Sequence, residues 1–436
     1  MQSNKRFWSA LVIFGLIGQI AWVVENMYFN VFIYKMFNAS ASQIANMVSA
    51  SAIAATLTTI LMGSLADKLG KRKMFICFGY IAWGISILSF AAIRMDIFTT
   101  LFPALEVTSV ASLCVTIVII MDCVMTFFGS TANDAAFNAW LTDSTNEKNR
   151  GAAEGINSMM PLVAILVVFG GFMSFDQSLP STWTVIFLII GGFVLICGIL
   201  GIFLIKDTGV KTNENNKLFS NLIYGFRPSV IKANKSLYLT LIAFAVFGIS
   251  IQIFMPYLIL YYEVSLGMSD YVLIMAPAII VASIATAFYG RLFDKIKFTK
   301  SVIPALLMLI SGYMFLFIFT DKTKDIPFVF IGSLLMMSGY LCGMAVFGAM
   351  IREKTPENKS GMFQGLRIFG QVFIPGVIGP EIAKAVLKNA EMVRTGDGTY
   401  SFKPNEYIFL AAAIVAVIVF VIIPVINRYS KKEKAI

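Results

Sequence analysis

Six ionisable residues lie within long apolar stretches of the sequence: Glu25, Asp122, Asp134, Glu154, Arg367 and Glu381. A charged side chain at the middle of a membrane-spanning helix costs ~2.5–3.5 kcal/mol or more, so each of them needs a reason to be there. Removal from water favours the neutral form of a carboxyl group, so a buried acid is suited to taking up and releasing a proton. Because the chain has no histidine, proton chemistry falls to the carboxylates.

Glu25 and Asp134 are the carboxyl groups best placed for such coupling. At 1.5 Å per residue, Glu25 lies about 25 Å along the first apolar run from Trp8. By the same measure Asp134 lies about 13 Å deeper in its run than Asp143, the acid at the end of that run. Each acid has its own alternative. For Glu25 it is a side chain that reaches the outer membrane interface, and for Asp134 it is a structural ion pair with Arg367 or Lys148.

The other acidic residues of the apolar runs rank lower. Asp122 is twelve residues from Asp134, which places the two about 120° apart around a regular helix, so at most one is expected to face a cavity. Glu154 falls in the first turn of a predicted helix, where the helix dipole favours an acid. Glu381 is interpreted as paired with Lys384, one turn further on.

The composition indicates a membrane protein. Of the 436 residues, 58% are hydrophobic and 13% are charged, whereas an average soluble domain is roughly 25% charged. These values exclude soluble enzymes and nucleic-acid-binding proteins in spite of the net charge of +10. The five cysteines lie in apolar runs without a C-x-x-C pair, so no metal site or redox role is expected. No phosphate-binding loop motif occurs, so ATP is not expected to drive the protein directly.

A spanning helix needs about 20 mostly apolar residues. On that basis we predict an all-α membrane protein with twelve spans, near residues 8–35, 42–66, 73–94, 112–141, 152–173, 183–205, 237–262, 270–293, 300–320, 326–350, 361–385 and 405–427. The first run is longer than that of a signal peptide and contains polar residues, so we expect it to be retained.

The basic residues set the expected orientation. With twelve spans both termini lie on one side, and the termini and loops of that side hold 25 of the 34 Lys and Arg residues, against 8 in the opposite loops. Basic loops stay cytoplasmic. We therefore expect a cell-membrane protein with both termini in the cytoplasm, whose positive charge reflects topology and requires no acidic partner.

The chain contains an internal duplication. The segment from Gly63 to Lys68 recurs as Gly290 to Lys295 at an offset of 227, which also pairs Glu25 with Gln252, and residues 145–155 match 355–365 at an offset of 210. We predict a six-helix bundle in each half, 1–205 and 237–436, joined by a cytoplasmic linker, 206–236. Within the linker, apolar residues at helical spacing predict a short interfacial helix: Leu218, Phe219, Leu222, Ile223 and Phe226. Parallel repeats are typical of transporters that bind substrate between their halves.

The segment Gly63-Ser-Leu-Ala-Asp-Lys-Leu-Gly-Lys-Arg-Lys73 resembles the signature of the major facilitator superfamily, G-x-L-a-D-r-x-G-r-[RK], between spans two and three. The resemblance covers the whole chain and implies the fold of two pseudo-symmetric six-helix bundles. It also implies that these residues form a cytoplasmic conformational latch: Gly63, Asp67, Gly70, Lys71, Arg72 and, in the second copy, Asp294. In physical terms, we expect Asp67 to cap the start of a neighbouring helix.

Two further segments resemble a narrower group. Residues 19–28 are similar to the first span of sucrose–proton symporters, and residues 133–143 are similar to span four of the glycoside–pentoside–hexuronide:cation symporters. This resemblance implies sugar uptake coupled to a cation. The chain departs from the pattern where Ala136 replaces a proline and where Asn138 stands in place of the arginine that sucrose carriers often have.

These arguments predict a set of residues that bind substrate or cation: Glu25, Asn26, Tyr28, Asp134, Asn138, Gln252, Tyr257, Gln364, Arg367 and Gln371. Amides and carboxylates would bind the hydroxyl groups of a sugar, while Tyr28 and Tyr257 would stack on its apolar face. Arg367 shares a helical face with Gln364 and Gln371. It either binds an anionic group or pairs with Asp134.

We therefore expect a monomeric secondary active symporter for a sugar or similar small polar solute, working by alternating access with H⁺ or Na⁺ as coupling ion. Its expected partners are the solute and the lipid bilayer, without nucleic acid, cofactor or enzymatic activity. One alternative is a drug/proton antiporter of the same fold, although residues 158–164 lack the glycines that those antiporters carry in span five. A second alternative is a non-transporting membrane receptor, although the tails here are short.

Overall fold

The computed structural model describes residues 4–145, 149–207, 225–293, 298–323, 326–355, 366–394 and 399–433. The chain divides into two compact units, Met1–Leu218 and Phe219–Ile436. The division falls inside the predicted linker, 206–236. Most of the interfacial helix predicted there lies outside the described residues.

Long apolar helices make up both units. The described α-helices of the first unit are α1 (Asn4–Val23), α2 (Phe29–Phe37), α3 (Ala41–Leu69), α4 (Arg72–Ser89), α5 (Met95–Leu101), α6 (Val107–Gly129), α7 (Asn138–Ser144), α8 (Arg150–Phe172) and α9 (Pro180–Leu204). Those of the second unit are α10 (Pro228–Ala233), α11 (Lys235–Phe254), α12 (Leu258–Leu260), α13 (Val272–Phe293), α14 (Phe298–Thr323), α15 (Ile326–Lys354), α16 (Ile374–Val386) and α17 (Tyr407–Glu433).

The twelve predicted spans are confirmed. Within the described residues, ten helices are long and apolar enough to cross a membrane. They are Lys5–Phe37, Ala41–Leu69, Arg72–Ala92, Val107–Ser144, Pro180–Leu204, Lys235–Ser265, Lys300–Phe319, Ile326–Ile351, Leu366–Asn389 and Tyr407–Ser430. Two shorter apolar helices, Ile156–Phe172 and Val272–Thr286, correspond to the fifth and eighth predicted spans. We number these helices spans 1 to 12 in chain order.

The ends of span 2 show how the sequence sets the helix limits. The Ser40 hydroxyl accepts a hydrogen bond from the backbone N–H of Gln43, and the Gln43 side-chain oxygen accepts one from the backbone N–H of Ser40. Together these two bonds form a capping box. At the other end Gly70 adopts a left-handed φ of 64°, and its N–H donates to the Ala66 carbonyl. Glycine is favoured there because a side chain would strain this conformation.

Within the described residues, four of the spans contain a π-helical segment. These segments are Val24–Tyr28 in span 1, Ser130–Phe137 in span 4, Tyr261–Ser265 in span 7 and Phe369–Phe373 in span 11. π-helical segments are rare in proteins, and those that occur often lie at functional sites. Two of them contain the acids that the sequence singled out, Glu25 and Asp134.

A short β-hairpin follows span 11. Strands β1 (Met392–Arg394) and β2 (Tyr400–Phe402) pair antiparallel, with Val393 opposite Ser401. No strand was predicted here from the sequence, because each strand has only three residues. The hairpin contributes Phe402, whose ring packs against Tyr257 of span 7 with centroids 6.1 Å apart.

Candidate functional site

Glu25 lies at the centre of a polar cluster inside the first unit. Its side chain is only 7% exposed. The Ser51 hydroxyl of span 2 and the Thr126 hydroxyl of span 4 both donate to Oε1 of Glu25, at 2.6 and 3.0 Å. The two hydroxyl oxygens are 2.9 Å apart. Three spans therefore meet at one carboxylate oxygen, and the alternative in which Glu25 reaches the outer interface does not fit this burial.

Asp122 belongs to the same cluster. It is 1% exposed, it interacts electrostatically with Glu25, and Ser51 faces its carboxyl group. The low rank that the sequence analysis gave to Asp122 is therefore not supported. That ranking assumed a regular α-helix between Asp122 and Asp134, whereas a π segment begins at Ser130, between them, and changes the rotation of the residues that follow.

Asp134 lies in the π segment of span 4 and is half-buried. The Ser130 hydroxyl donates to its Oδ2 at 3.0 Å, and Trp22 of span 1 lies beside it. The Asp134 charge also acts on Glu25. The structure therefore brings the two predicted coupling acids into one cluster, together with Asp122.

This cluster of carboxyl groups has no basic partner among the described residues of the first unit. No lysine or arginine there forms an ion pair with Glu25, Asp122 or Asp134. Three ionised carboxylates in one place, surrounded by apolar helices, would repel one another without compensation. The cluster is therefore suited to binding protons or metal cations.

Next to the carboxyl groups lies a network of neutral polar groups that the sequence analysis missed. The Tyr80 hydroxyl of span 3 donates to the Phe14 carbonyl of span 1 at 2.8 Å and accepts a hydrogen bond from the Asn133 side chain at 2.7 Å. All of these atoms are buried. The network connects spans 1, 3 and 4 and fixes Asn133, the neighbour of Asp134. A sequence signal for it is an asparagine directly before the acid within an apolar helix.

The junction of spans 2 and 3 shows an ion-pair arrangement around one arginine. Arg72, the first residue of span 3, is 8% exposed and pairs with Asp67, near the end of span 2. Its Nε also donates to Oδ2 of Asp143, at the end of span 4, at 3.2 Å. The motif residues and the end of span 4 therefore form one charged group, which fits a conformational role for this loop.

Asp67 does not cap a neighbouring helix as predicted. The first turn of span 3 is capped by Asp207, whose Oδ1 accepts a hydrogen bond from the Lys73 N–H at 2.8 Å. Asp67 instead forms an ion pair with the side chain of Arg72, which follows it closely in the sequence. Asp294, the counterpart of Asp67 in the second copy, lies outside the described residues.

The remaining predicted residues of the first unit have local roles. The Asn26 side chain donates to the Trp22 carbonyl at 2.7 Å, and the Asn138 side chain donates to the Asp134 carbonyl at 3.2 Å. Both asparagines are exposed. Tyr28 is fully buried, and its ring packs edge-on against Phe172 of span 5 with centroids 4.8 Å apart. The stacking role predicted for Tyr28 does not match this position.

In the second unit the structure describes four of the predicted residues, Gln252, Tyr257, Arg367 and Gln371. Arg367 donates from Nε to Oε1 of Gln371 at 3.2 Å, which confirms that these two side chains share a face. Gln252 lies against Gly379, where an added Cβ would be 2.5 Å from the Gln252 Cβ. Tyr257 is fully buried, like Tyr28. Gln364 lies outside the described residues, and the pairing of Arg367 with Asp134 stays a prediction.

Of the two acids with local predicted roles, Glu381 is described with its side chain and Glu154 is not. Lys384 binds Glu381 at 3.0 Å, which confirms that pair, and the Glu154 side chain lies outside the described part. A cavity of about 320 Å³ in the first unit is lined mainly by apolar residues, with Phe32, Phe90, Trp183 and Phe187 among them and Arg94 and Asp96 as charged groups. It contains no residue of the carboxyl cluster.

Several solved structures are similar to this chain. A bacterial homologue of the human lysosomal transporter Spinster, in an inward-facing and unoccupied conformation, matches with a TM-score of 0.67 and 16% identity over 99% of both chains. A mutant of the nucleoside transporter NupG matches with a TM-score of 0.70 and 12% identity, over 96% of this chain and 99% of NupG. At these identities the likeness shows the fold alone. Comparison with curated protein sequences gave no match.

The sequence itself places the chain in a family. The profile of the Major Facilitator Superfamily matches residues 8–380, which is most of the chain. The family match, the twelve spans and the similar solved structures agree. The chain therefore belongs to the major facilitator superfamily and is a multi-pass membrane transporter with the fold of secondary transport by alternating access.

Proposed function

We propose that the protein is a cation-coupled symporter of a sugar, glycoside or similar small polar solute, and that Glu25 and Asp134 couple the cation to transport. We place it in the cell membrane as a monomer with both termini in the cytoplasm, in line with the distribution of its basic residues. In this proposal the loop residues around Asp67 and Arg72 act as the conformational latch.

One observation carries the proposal: a cluster of three carboxyl groups lies within the membrane-spanning helices of the first unit without a basic partner among the described residues of that unit. Ionisable groups in spans are costly and mark ion pathways or proton relays. A transporter that moved its solute by facilitated diffusion would have no use for them. Two of the three, Glu25 and Asp134, lie in π segments, where the helix departs from its regular form.

The polar side chains around the cluster suit an uncharged polar solute. Asn26 and Asn138 are exposed amides close in sequence to Glu25 and Asp134, and amides bind hydroxyl groups as donor and acceptor. NupG, one of the similar structures, is a nucleoside transporter. Because nucleosides contain a sugar, we include them among the candidate solutes.

The test is uptake into proteoliposomes that contain the purified full-length chain. A panel of sugars, glycosides and nucleosides is tested with an imposed pH gradient, with an imposed sodium gradient and with neither. We expect at least one solute to accumulate above its external concentration with one of the gradients, and an ionophore that dissipates the gradient to abolish the accumulation.

Two results would overturn the proposal. Uptake that only equilibrates the solute, whichever gradient is imposed, indicates facilitated diffusion. Proton-driven expulsion of an amphiphilic dye, without uptake of any polar solute, indicates a drug/proton antiporter of the same fold.

A further inference from the structure

Four oxygen-bearing side chains from three spans converge in the first unit. Glu25 comes from span 1, Ser51 from span 2, and Asp122 and Thr126 from one face of span 4, one turn apart. Ser51 contacts Glu25 at 2.6 Å and Thr126 at 2.9 Å, and it faces Asp122. The group thus contains two carboxyl groups with two hydroxyl groups beside them. Of the four residues, Ser51 is the most accessible to solvent.

Each carboxyl group has one buried oxygen without a hydrogen-bond partner in the described part of the chain. These oxygens are Oε2 of Glu25 and Oδ1 of Asp122, in side chains that are 7% and 1% exposed. A buried polar atom without a partner costs free energy, more so when it is charged, so its presence needs an explanation. No donor in the described part of the first unit supplies one here.

The arrangement differs from that of two acids that share one proton. No hydrogen bond joins the Glu25 and Asp122 carboxyl groups, and the Ser51 hydroxyl contacts one and faces the other. The other charged group that acts on Glu25 is Asp134, which is also acidic. Cys123, next to Asp122 in span 4, is within the electrostatic influence of both acids. The negative charges therefore call for a cation, and all four side chains of the group present oxygen atoms.

We propose that Glu25, Asp122, Ser51 and Thr126 form a binding site for a sodium ion. Hard oxygen ligands suit alkali and alkaline-earth ions and do not suit softer metals. Calcium takes 6–8 oxygen ligands, and magnesium retains several waters, so a buried site in which four side chains each present one oxygen fits a small monovalent ion better. The inference rests on the proposed function, since it names the coupling ion and adds Asp122 to the coupling residues.

The experiment measures sodium binding without any solute. Purified full-length protein in lipid nanodiscs is unfolded thermally at increasing NaCl concentration, with choline chloride added to hold the ionic strength constant. A ligand that binds only the folded state raises the melting temperature in a saturable way. We expect such a rise with Na⁺, and none with choline. Binding of radioactive sodium to the same samples gives an independent dissociation constant.

Substitution of each proposed sodium ligand tests where in the protein the ion binds. We expect Glu25→Gln and Asp122→Asn to abolish the sodium effect, and Ser51→Ala and Thr126→Val to weaken binding about tenfold each, the effect of losing one oxygen that contacts a charge. Thr116→Val is the matched control in span 4, because the Thr116 hydroxyl is exposed and donates only to the Ser112 carbonyl of its own helix, at 2.9 Å. The hydroxyl variants retain both acids, so they test the site even if an acid variant does not fold.

The outcomes separate this inference from the proposed function. Absence of a saturable sodium effect in the folded wild-type protein overturns the sodium site, and proton-driven accumulation in the same preparation would leave the proposed function standing. Sodium binding with wild-type affinity in the hydroxyl variants and in whichever acid variants fold also overturns the site. Sodium binding that these variants remove, without gradient-driven uptake of any solute, supports the site and contradicts the proposed function.

Discussion

Arg72 binds Asp143 with its Nε 3.2 Å from the carboxylate, so the start of span 3 is held to the end of span 4. The Arg72 side chain is 10% exposed and that of Asp143 is 20% exposed, whereas the second partner of Arg72, Asp67, is 52% exposed. Charge pairs that are partly shielded from water interact more strongly than pairs in solvent. The two carboxylates are therefore not equivalent partners of the same arginine.

We expect Asp143→Asn to destabilise the protein more than Asp67→Asn. Removing a partner of a buried charge costs about 3–5 kcal/mol, whereas an exposed ion pair contributes about 0–1 kcal/mol. Thermal unfolding of the two variants in one detergent measures the difference. Asp96→Asn is the control for a surface pair, since Asp96 binds Arg94 at 2.8 Å with 61% of its side chain exposed. Equal melting temperatures for Asp143→Asn and Asp67→Asn would contradict the prediction.

We expect Gly18→Ala to disrupt the contact of spans 1, 3 and 4. A Cβ at Gly18 would lie 2.2 Å from Nδ2 of Asn133 and 2.6 Å from the Tyr80 hydroxyl. Those two groups are hydrogen-bonded to each other and cannot both move without breaking the bond. Overpacking of this kind costs about 1–3 kcal/mol, so the melting temperature should fall.

Gly170→Ala is the matched control for this substitution. Gly170 lies in helix α8 with nothing within 4 Å of an added Cβ. Alanine has the higher helix propensity, so the control should unfold at the wild-type temperature or above it. A loss of stability in the control as large as that in Gly18→Ala would show that the close contact is not the cause.

We expect Tyr80→Phe to lower stability by about 1–3 kcal/mol, the cost of leaving buried polar groups unpaired. The substitution keeps the ring and removes only the hydroxyl, which donates to the Phe14 carbonyl and accepts from Asn133. Thermal unfolding is the measurement. Tyr400→Phe is the control, because Tyr400 is 64% exposed and its hydroxyl remains accessible to water. Equal stability of the two variants would contradict the role of the network.

The spans and the buried acids could be predicted from the sequence, whereas the contacts between side chains of different spans could not. The spans and the rare acids stand out because charge is scarce in an apolar chain. The meeting of Asp122 with Glu25 was missed because a helical projection assumes a regular α-helix, and the π segment after Ser130 breaks that assumption. Tyr80 and Asn133 were missed because neutral polar residues carry no comparable signal. Tyr28 was assigned to a substrate because the sequence does not show what covers a ring.

We expect Asp134→Asn and Glu25→Gln to uncouple transport while leaving the protein folded. Each substitution preserves the shape of the side chain and removes its ability to change charge, so the binding of a cation no longer alters the electrostatics of the cluster. The reciprocal link between cation and solute binding is then lost. In proteoliposomes these variants should exchange the solute found in the uptake screen across the membrane but fail to accumulate it.

Ser130→Ala is the control for Asp134, since it removes the 3.0 Å hydrogen bond to Oδ2 and retains the carboxyl group. That variant should accumulate the solute, with altered apparent affinity for the cation. Accumulation at the wild-type level by both acid variants would exclude Glu25 and Asp134 as coupling residues.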